Sequence, residues 1–291
     1  MSNLYDAGCR TLLAHGTKTT SDPTFRECLV LTRITSSAGL LTSILVILFV
    51  IMHRYVFTVY YLTRVYGKSY ALLEPRQQSR LRCHHLDLFA KVISLAFIAQ
   101  PVFMVLWRGR SWSDFFSTKS DFTFGDSASV GTATIAAAFL FEIASSETLG
   151  LLPFVHHVGS ILTIQGYYWW SVAQPIDMDA GVGKAKTMAN ICLLWAFFAC
   201  IFGSIKSVGN IMRRCFVLKR VTLRQLCLGV FCIDLIVAAL EAFSVLYAVL
   251  GGWSEIPSGG QWVILFLQTG FSVSKWEHIR PFYAIYRRGR S

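Results

Sequence analysis

Runs of about twenty apolar residues, repeated along nearly the whole chain, constrain this protein more than any other feature of its sequence. A helix of that length is what crosses the hydrocarbon core of a bilayer. Seven stretches meet or approach it, at roughly 34–55, 87–107, 128–144, 149–172, 187–209, 226–250 and 261–284. In lipid, a helix pairs every backbone N–H and C=O within its own segment, which an open strand cannot do. The runs also lack the alternation of apolar and polar residues that a membrane barrel shows. Composition agrees: 15% of the 291 residues are charged and 54% are hydrophobic, against about 25% charged in a soluble domain. So little polar material does not cover a water-facing exterior.

We therefore expect an all-α, polytopic membrane protein of about seven transmembrane helices. Residues 1–33 read as a lumenal or extracellular tail, 34–286 as one membrane domain and 287–291 as a basic cytoplasmic tail. The first 28 residues hold no long apolar core of a signal peptide, so the first span is expected to direct the chain to the membrane. The third span opens with small residues (Ser127, Ala128, Ser129, Gly131) and continues through Ala136, Ala137 and Ala138, a pattern that lets a neighbouring backbone come close.

Orientation follows from the connections. The first (56–86) carries Arg64, Lys68, Arg76, Arg80 and Arg82 against Glu74. The fifth (210–225) carries Arg213, Arg214, Lys219, Arg220 and Arg224 with no acid, and the chain ends on Arg287, Arg288 and Arg290. The second and fourth are balanced, and the sixth holds only Glu255. Basic excess on the long odd connections and the C-terminus places the N-terminus in the lumen or outside and the C-terminus in the cytoplasm. The net charge of +11 is thus spent at membrane faces, where anionic headgroups meet it, and nucleic acid is not an expected partner. Membrane lipids are; a homo-oligomer is compatible with the sequence.

Ionisable residues inside spans are costly and usually face the protein interior. The third span contains Glu142, the fourth His156 and His157, the sixth Asp234 and Glu241, and the seventh Gln268, Lys275 and Glu277. Adjacent residues on a helix project about 100° apart, so His156 and His157 cannot both point at one neighbour. One can face a cavity while the other bonds an adjoining helix, for instance through Glu142. A carboxylate on the far imidazole nitrogen fixes the tautomer and strengthens the ring as a base, an arrangement suited to proton abstraction or attack on an activated acyl group. Hydrogen bonding between helices, with no chemistry, accounts for the same pair. Asp234 and Glu241 lie seven apart on one helical face and are expected to pair with Lys206, to line a polar path or to join helices. Tyr167, Tyr168, Trp169 and Trp170 read as an interfacial aromatic belt or as the wall of a lipid site.

The eight cysteines include no CxxC, and several fall inside apolar runs; they read as small buried residues, with Cys9 and Cys28 the one pair placed to cross-link a lumenal tail. Cys83-His84-His85 lacks a second ligand group at usable spacing, so no metal is expected.

The stretch Phe139-Leu-Phe-Glu142, followed by Leu152-Pro-Phe-Val-His156-His157-Val-Gly-Ser-Ile-Leu-Thr163, resembles the centre of the TLC family of membrane proteins. The last span, with Gln268, Lys275-Trp276 and Ile279 before a basic tail, resembles that family's closing helix, and the likeness covers roughly 85–288. The resemblance implies a helical bundle around a lipid-accommodating cavity. It also implies a role in lipid metabolism at the endoplasmic reticulum, with acyl-CoA as a co-substrate and no bound cofactor. Carried over by position, His156 and His157 are the catalytic pair of an acyltransferase of the ceramide-synthase kind. Glu142, Asp234, Glu241 and Gln268 would then orient them, with Tyr167, Tyr168 and Trp276 against the substrate and Arg213, Arg214, Lys219 and Arg220 near CoA phosphates. The chain is more similar to divergent members than to the synthases, which carry an acidic element where this sequence reads Glu147-Thr-Leu-Gly-Leu-Leu152 and which have further signature residues. A non-catalytic lipid-homeostasis, cargo or translocation role stays open beside the enzyme, as does an unrelated seven-helix receptor.

Overall fold

The computed structural model describes residues 37–112, 114–117, 122–146, 149–173, 180–216, 218–256 and 258–288, without the side chains of 167–186 and of residue 255. The expected N-terminal tail, with Cys9 and Cys28, lies outside the described residues.

Helix α1 (Ala38–Ile51) continues as a π-helical turn at Met52–Val56. Its last carbonyls would be orphaned where the helix stops, and Arg82 supplies their donors: Nη2 bonds the His53 carbonyl at 2.6 Å and Nε the Phe57 carbonyl at 2.7 Å. Thr58 caps α2 (Val59–Tyr66) by accepting from the Tyr61 N–H at 3.1 Å. Gly67, at φ 62°, then turns the chain into the single-turn α3 (Lys68–Ala71), a backbone conformation glycine adopts without a Cβ penalty.

Helix α4 (Pro75–Pro101) opens on a proline, whose missing N–H costs nothing in a first turn, and widens into a π segment at Val102–Trp107. It starts at Pro75 rather than near 87, so Arg76, Arg80 and Arg82 ride on its first turns instead of in a loop. On α2, outside the apolar spans, burial raises the pKa of the Tyr66 phenol. Its O–H lies 2.8 Å from His85 Nε2, while His85 Nδ1 reaches the Leu81 carbonyl at 2.7 Å. That pair holds the Cys83-His84-His85 segment against α2.

Helix α5 (Phe124–Ser145) begins with a capping box in which Thr123 and Asp126 satisfy each other's backbone N–H groups, a reciprocal use of two orphan donors. Helices α6 (Leu151–Ala173), α7 (Ala180–Cys215), α8 (Arg220–Gly251) and α9 (Ser258–Arg288) complete the bundle, with a 3-10 turn at Trp253–Glu255. Among the described residues, five helices are long and apolar enough to cross a membrane: Ala38–Val56, Pro75–Trp107, Phe124–Ser145, Thr187–Cys215 and Arg220–Gly251. Among the described residues the only β pairing is an isolated bridge between Phe115 and Thr123.

The small residues of α5 do bring a backbone close. Ser94 Oγ of α4 donates to the Gly131 carbonyl at 2.6 Å, and Ser127 Oγ of α5 donates to the Phe97 carbonyl at 2.7 Å. A Cβ on Gly131 would sit 2.5 Å from Ile98 Cγ1 and 3.0 Å from the Ser94 carbonyl oxygen. Helices α8 and α9 are antiparallel, since Val230 packs with Phe282 and Glu241 meets Lys275. Buried Ala136, Phe139, Ile164, Leu193 and Ala196 form a core where α5, α6 and α7 meet.

Candidate functional site

Polar residues from six helices converge beside that core. On α6 the two histidines divide as neighbours on a helix must. His157 turns toward α5, with its Nε2 3.2 Å from Glu142 Oε2. Its ring is buried and stacks on Phe139, centroids 4.5 Å apart at 25°. His156 turns the other way and lines a cavity, its ring meeting Phe271 of α9 edge-on at 5.0 Å. Phe139 also meets His156 edge-on at 5.8 Å, so one aromatic side chain braces both imidazoles. The two rings lie 5.5 Å apart, and Nδ1 of each is buried without a hydrogen-bond partner.

The cavity encloses ≈ 440 Å³ of free space, including its open mouth. Most of its wall is apolar: Ile135 and Phe139 of α5, Ile164 of α6, Trp195 and Ala196 of α7, and Phe271 of α9. Its polar groups are His156, Ser160 and Thr163 on one side and Glu241 with Lys275 on the other. The Ser160 and Thr163 hydroxyls donate to the carbonyls of His156 and Gly159, at 2.8 and 2.7 Å. That leaves the imidazole, the ion pair and the free Cys192 thiol as the reactive groups facing the space.

Glu241 of α8 and Lys275 of α9 form a buried ion pair, and Lys275 also sits over the Phe202 ring, 5.5 Å from its centroid. Glu241 therefore pairs with Lys275 and not with Lys206. Asp234, one face-repeat earlier, is fully buried, and neither carboxylate oxygen has a hydrogen-bond partner, though the charges of Lys206 and Lys275 act on it. Gln268 accepts from the indole N–H of Trp195 at 2.7 Å and donates to Ser272 Oγ at 3.3 Å. It thus holds one wall of the cavity rather than a histidine.

A second ionic group backs Glu142. Asp87 and Lys91, one turn apart on α4, pair at 2.5 Å, and Ser207 Oγ of α7 donates to Asp87 at 2.7 Å. Lys91 crosses α7 at Gly203, where any Cβ would collide with its side chain. Lys206 lies among these groups, within Coulombic range of Asp87, Lys91, Glu142 and Asp234. Asp87 and Lys91 are not among the expected site residues, although an acid and a lysine four apart at the start of an apolar run are a readable signal. Trp195 and Phe271 carry no such mark.

The remaining expected residues lie elsewhere. Trp276 is half exposed and packs edge-on against Phe231 at 6.5 Å, away from the cavity. The side chains of Tyr167 and Tyr168 lie outside the described residues. Arg213 and Arg214 end α7, with Arg213 over the Phe282 ring at 5.5 Å, while Lys219 and Arg220 are exposed at the start of α8. The four mark one end of the bundle and are not part of the cavity wall.

The fold and the site together define a class: an all-helical chain with membrane-crossing helices and a buried polar layer facing an apolar cavity. No protein-family model, curated protein or solved structure matches the chain.

Proposed function

We propose that this chain is a seven-span TLC-type membrane protein of the endoplasmic reticulum that transfers an acyl group from acyl-CoA to a lipid amine or hydroxyl. The observation that carries the reading is the division of labour in the dyad: Glu142 anchors His157 while His156 opens onto an apolar-walled cavity. In this mechanism His156 takes the proton from the attacking nitrogen or oxygen as that atom bonds to the thioester carbonyl carbon. The C–S bond breaks, and the proton passes to the sulfur, so CoA leaves as the free thiol. Lys275, held by Glu241, is the cation facing the cavity and offsets the charge that develops on the carbonyl oxygen. Arg213, Arg214, Lys219 and Arg220 form the basic end at which CoA phosphates would be held by charge-assisted bonds.

Helix direction supports seven spans. Along α5 the wall-lining residues run in the same sense as along α7, and α6 returns the chain between them. Helices α5 and α7 both qualify as spans, and an α6 that recrosses the membrane accounts for their shared sense. Helix α9 retraces α8 in the same way.

Lipid analysis of cells lacking the protein, rescued by the wild type or by His156→Ala and His157→Ala, tests the chemistry. The expected result is a changed lipid class that only the wild type restores. Equal rescue by all three removes the catalytic reading. What is left is a non-catalytic lipid-handling role, which the narrowness of the cavity favours: its enclosed part has room for about two waters, so a substrate must part the helices to enter.

A further inference from the structure

Outside the cavity wall, the seam between α8 and α9 carries a feature of its own at the basic end of the bundle. Arg224 and Phe231 lie seven residues apart on one face of α8, and Trp276 and Tyr283 lie seven apart on one face of α9. The helices are antiparallel, so the two faces meet as a ladder. Phe231 lies 4.9 Å from Tyr283 and 6.5 Å from Trp276, and Tyr283 lies 6.3 Å from Tyr286, ring centre to ring centre. The Arg224 guanidinium closes the ladder over the Tyr286 ring at 5.5 Å. Trp276 is 50% and Tyr283 39% exposed, so the edge of the ladder faces lipid.

A second arginine reaches the same end of α9 from α7. Gly209 brings α7 against both helices: a Cβ there would meet Val230 at 2.9 Å and Phe282 at 3.1 Å. One turn later, Arg213 lies over the Phe282 ring at 5.5 Å. Phe282 and Tyr286 are about 6 Å apart along the helix axis, so the two guanidiniums stand on successive turns of one helix. Nε of each is buried without a partner, and among the described residues neither guanidinium has a hydrogen bond or ion pair. Stacking on a ring holds a guanidinium flat and leaves its in-plane N–H fork open. The first turn of α8 supplies no acid and no capping side chain. Glu277, the one acid of α9, is taken up by Arg280 at 3.7 Å.

Two unpaired forks with no spare carboxylate beside them call for an anion from outside the chain, and a planar fork matches phosphate oxygens two at a time. The aromatic rungs that continue from Arg224 toward the membrane interior add an apolar strip parallel to the helices. A phospholipid of net negative charge has both parts in that order. We infer that the α8–α9 seam binds an anionic phospholipid, its headgroup phosphate held by Arg213 and Arg224 and one acyl chain lying along Phe231 and Trp276. The site stands whether or not the histidine dyad performs acyl transfer. It gives Arg213 a lipid phosphate where the acyl-transfer reading gives it a CoA phosphate, and the two are separable by experiment.

The test uses the full chain purified in detergent, with binding read from the rise in melting temperature. The probes are phosphatidic acid, phosphatidylcholine with the same acyl chains, and coenzyme A. The wild type is expected to bind phosphatidic acid about tenfold more tightly than phosphatidylcholine, the factor that one charge-assisted bond carries. Arg224→Gln should remove that preference, and Trp276→Ala should weaken both lipids. Arg64→Gln, at an exposed arginine of α2, should change neither. Arg213→Gln acts at the other ring and keeps the comparison readable should Arg224→Gln fail to fold. No preference in the wild type, or its loss in Arg64→Gln as well, overturns the site in favour of diffuse surface charge. Coenzyme A binding as tightly as phosphatidic acid, with Trp276→Ala without effect, assigns the arginines to a soluble phosphate and overturns the lipid.

Discussion

Glu142 and His157 stand 3.2 Å apart on different helices, and their roles separate by substitution. On the proposed acyl transfer, His156→Ala is expected to abolish turnover. Glu142→Gln keeps a hydrogen-bond partner for His157 but loses the charge that anchors that ring beside His156, so on the same reading the rate should fall by about 100-fold. Initial rates on purified protein check this, and an unaltered rate in Glu142→Gln would remove the carboxylate from the mechanism. At Glu241 and Lys275 the issue is stability. Taking one partner from a buried ion pair leaves an unpaired charge and costs about 3–5 kcal/mol. Lys275→Met alone is therefore expected to destabilise strongly, whereas Lys275→Met with Glu241→Gln recovers most of the loss. A double-mutant cycle in denaturant measures the coupling, and simple additivity would show that the pair contributes nothing jointly.

Among the elements, α5 is the one most closely embraced by its neighbours, and its glycine and alanines explain why. Gly131 lets α4 approach until Ser94 reaches its carbonyl. Gly131→Val places methyl groups where Ile98 and the Ser94 carbonyl already stand. We expect a loss of about 1–3 kcal/mol or more from this overpacking, seen as a lower melting temperature in detergent. Gly203→Ala acts on a different seam. It displaces Lys91 from its crossing over α7 and should loosen the Asp87–Lys91–Ser207 group behind Glu142. The readout is a reduced rate with little change in substrate KM; a rate equal to wild type would detach that group from the dyad. The π segments after α1 and α4 belong to the same scale: each ends a long helix, and Arg82 ties the first to α4 through two carbonyls.

At the scale of the whole molecule, five spans and seven both leave the chain ends on opposite sides of the membrane, so tagging the termini does not tell them apart. The connection between α6 and α7 does. With seven spans, a tag inserted at 176 is shielded in sealed microsomes while one at 218 is open to protease. If α6 does not cross, the 176 site is cleaved.

Much of this fold was legible from one chain read alone. A run of twenty apolar residues has one good backbone solution in lipid, whatever packs against it. That Glu142 and the histidine pair should meet was also within reach, because they sit on consecutive helices joined by a short turn. Partners far apart in sequence were not: Glu241 with Lys275 rather than Lys206, Ser207 with Asp87, Trp195 with Gln268. A helix repeats every 3.6 residues whatever surrounds it, so its sequence tells which residues share a face but not which helix that face meets or at what depth. Only close packing between helices settles the rotation and the axial register, and with them the cavity beside His156.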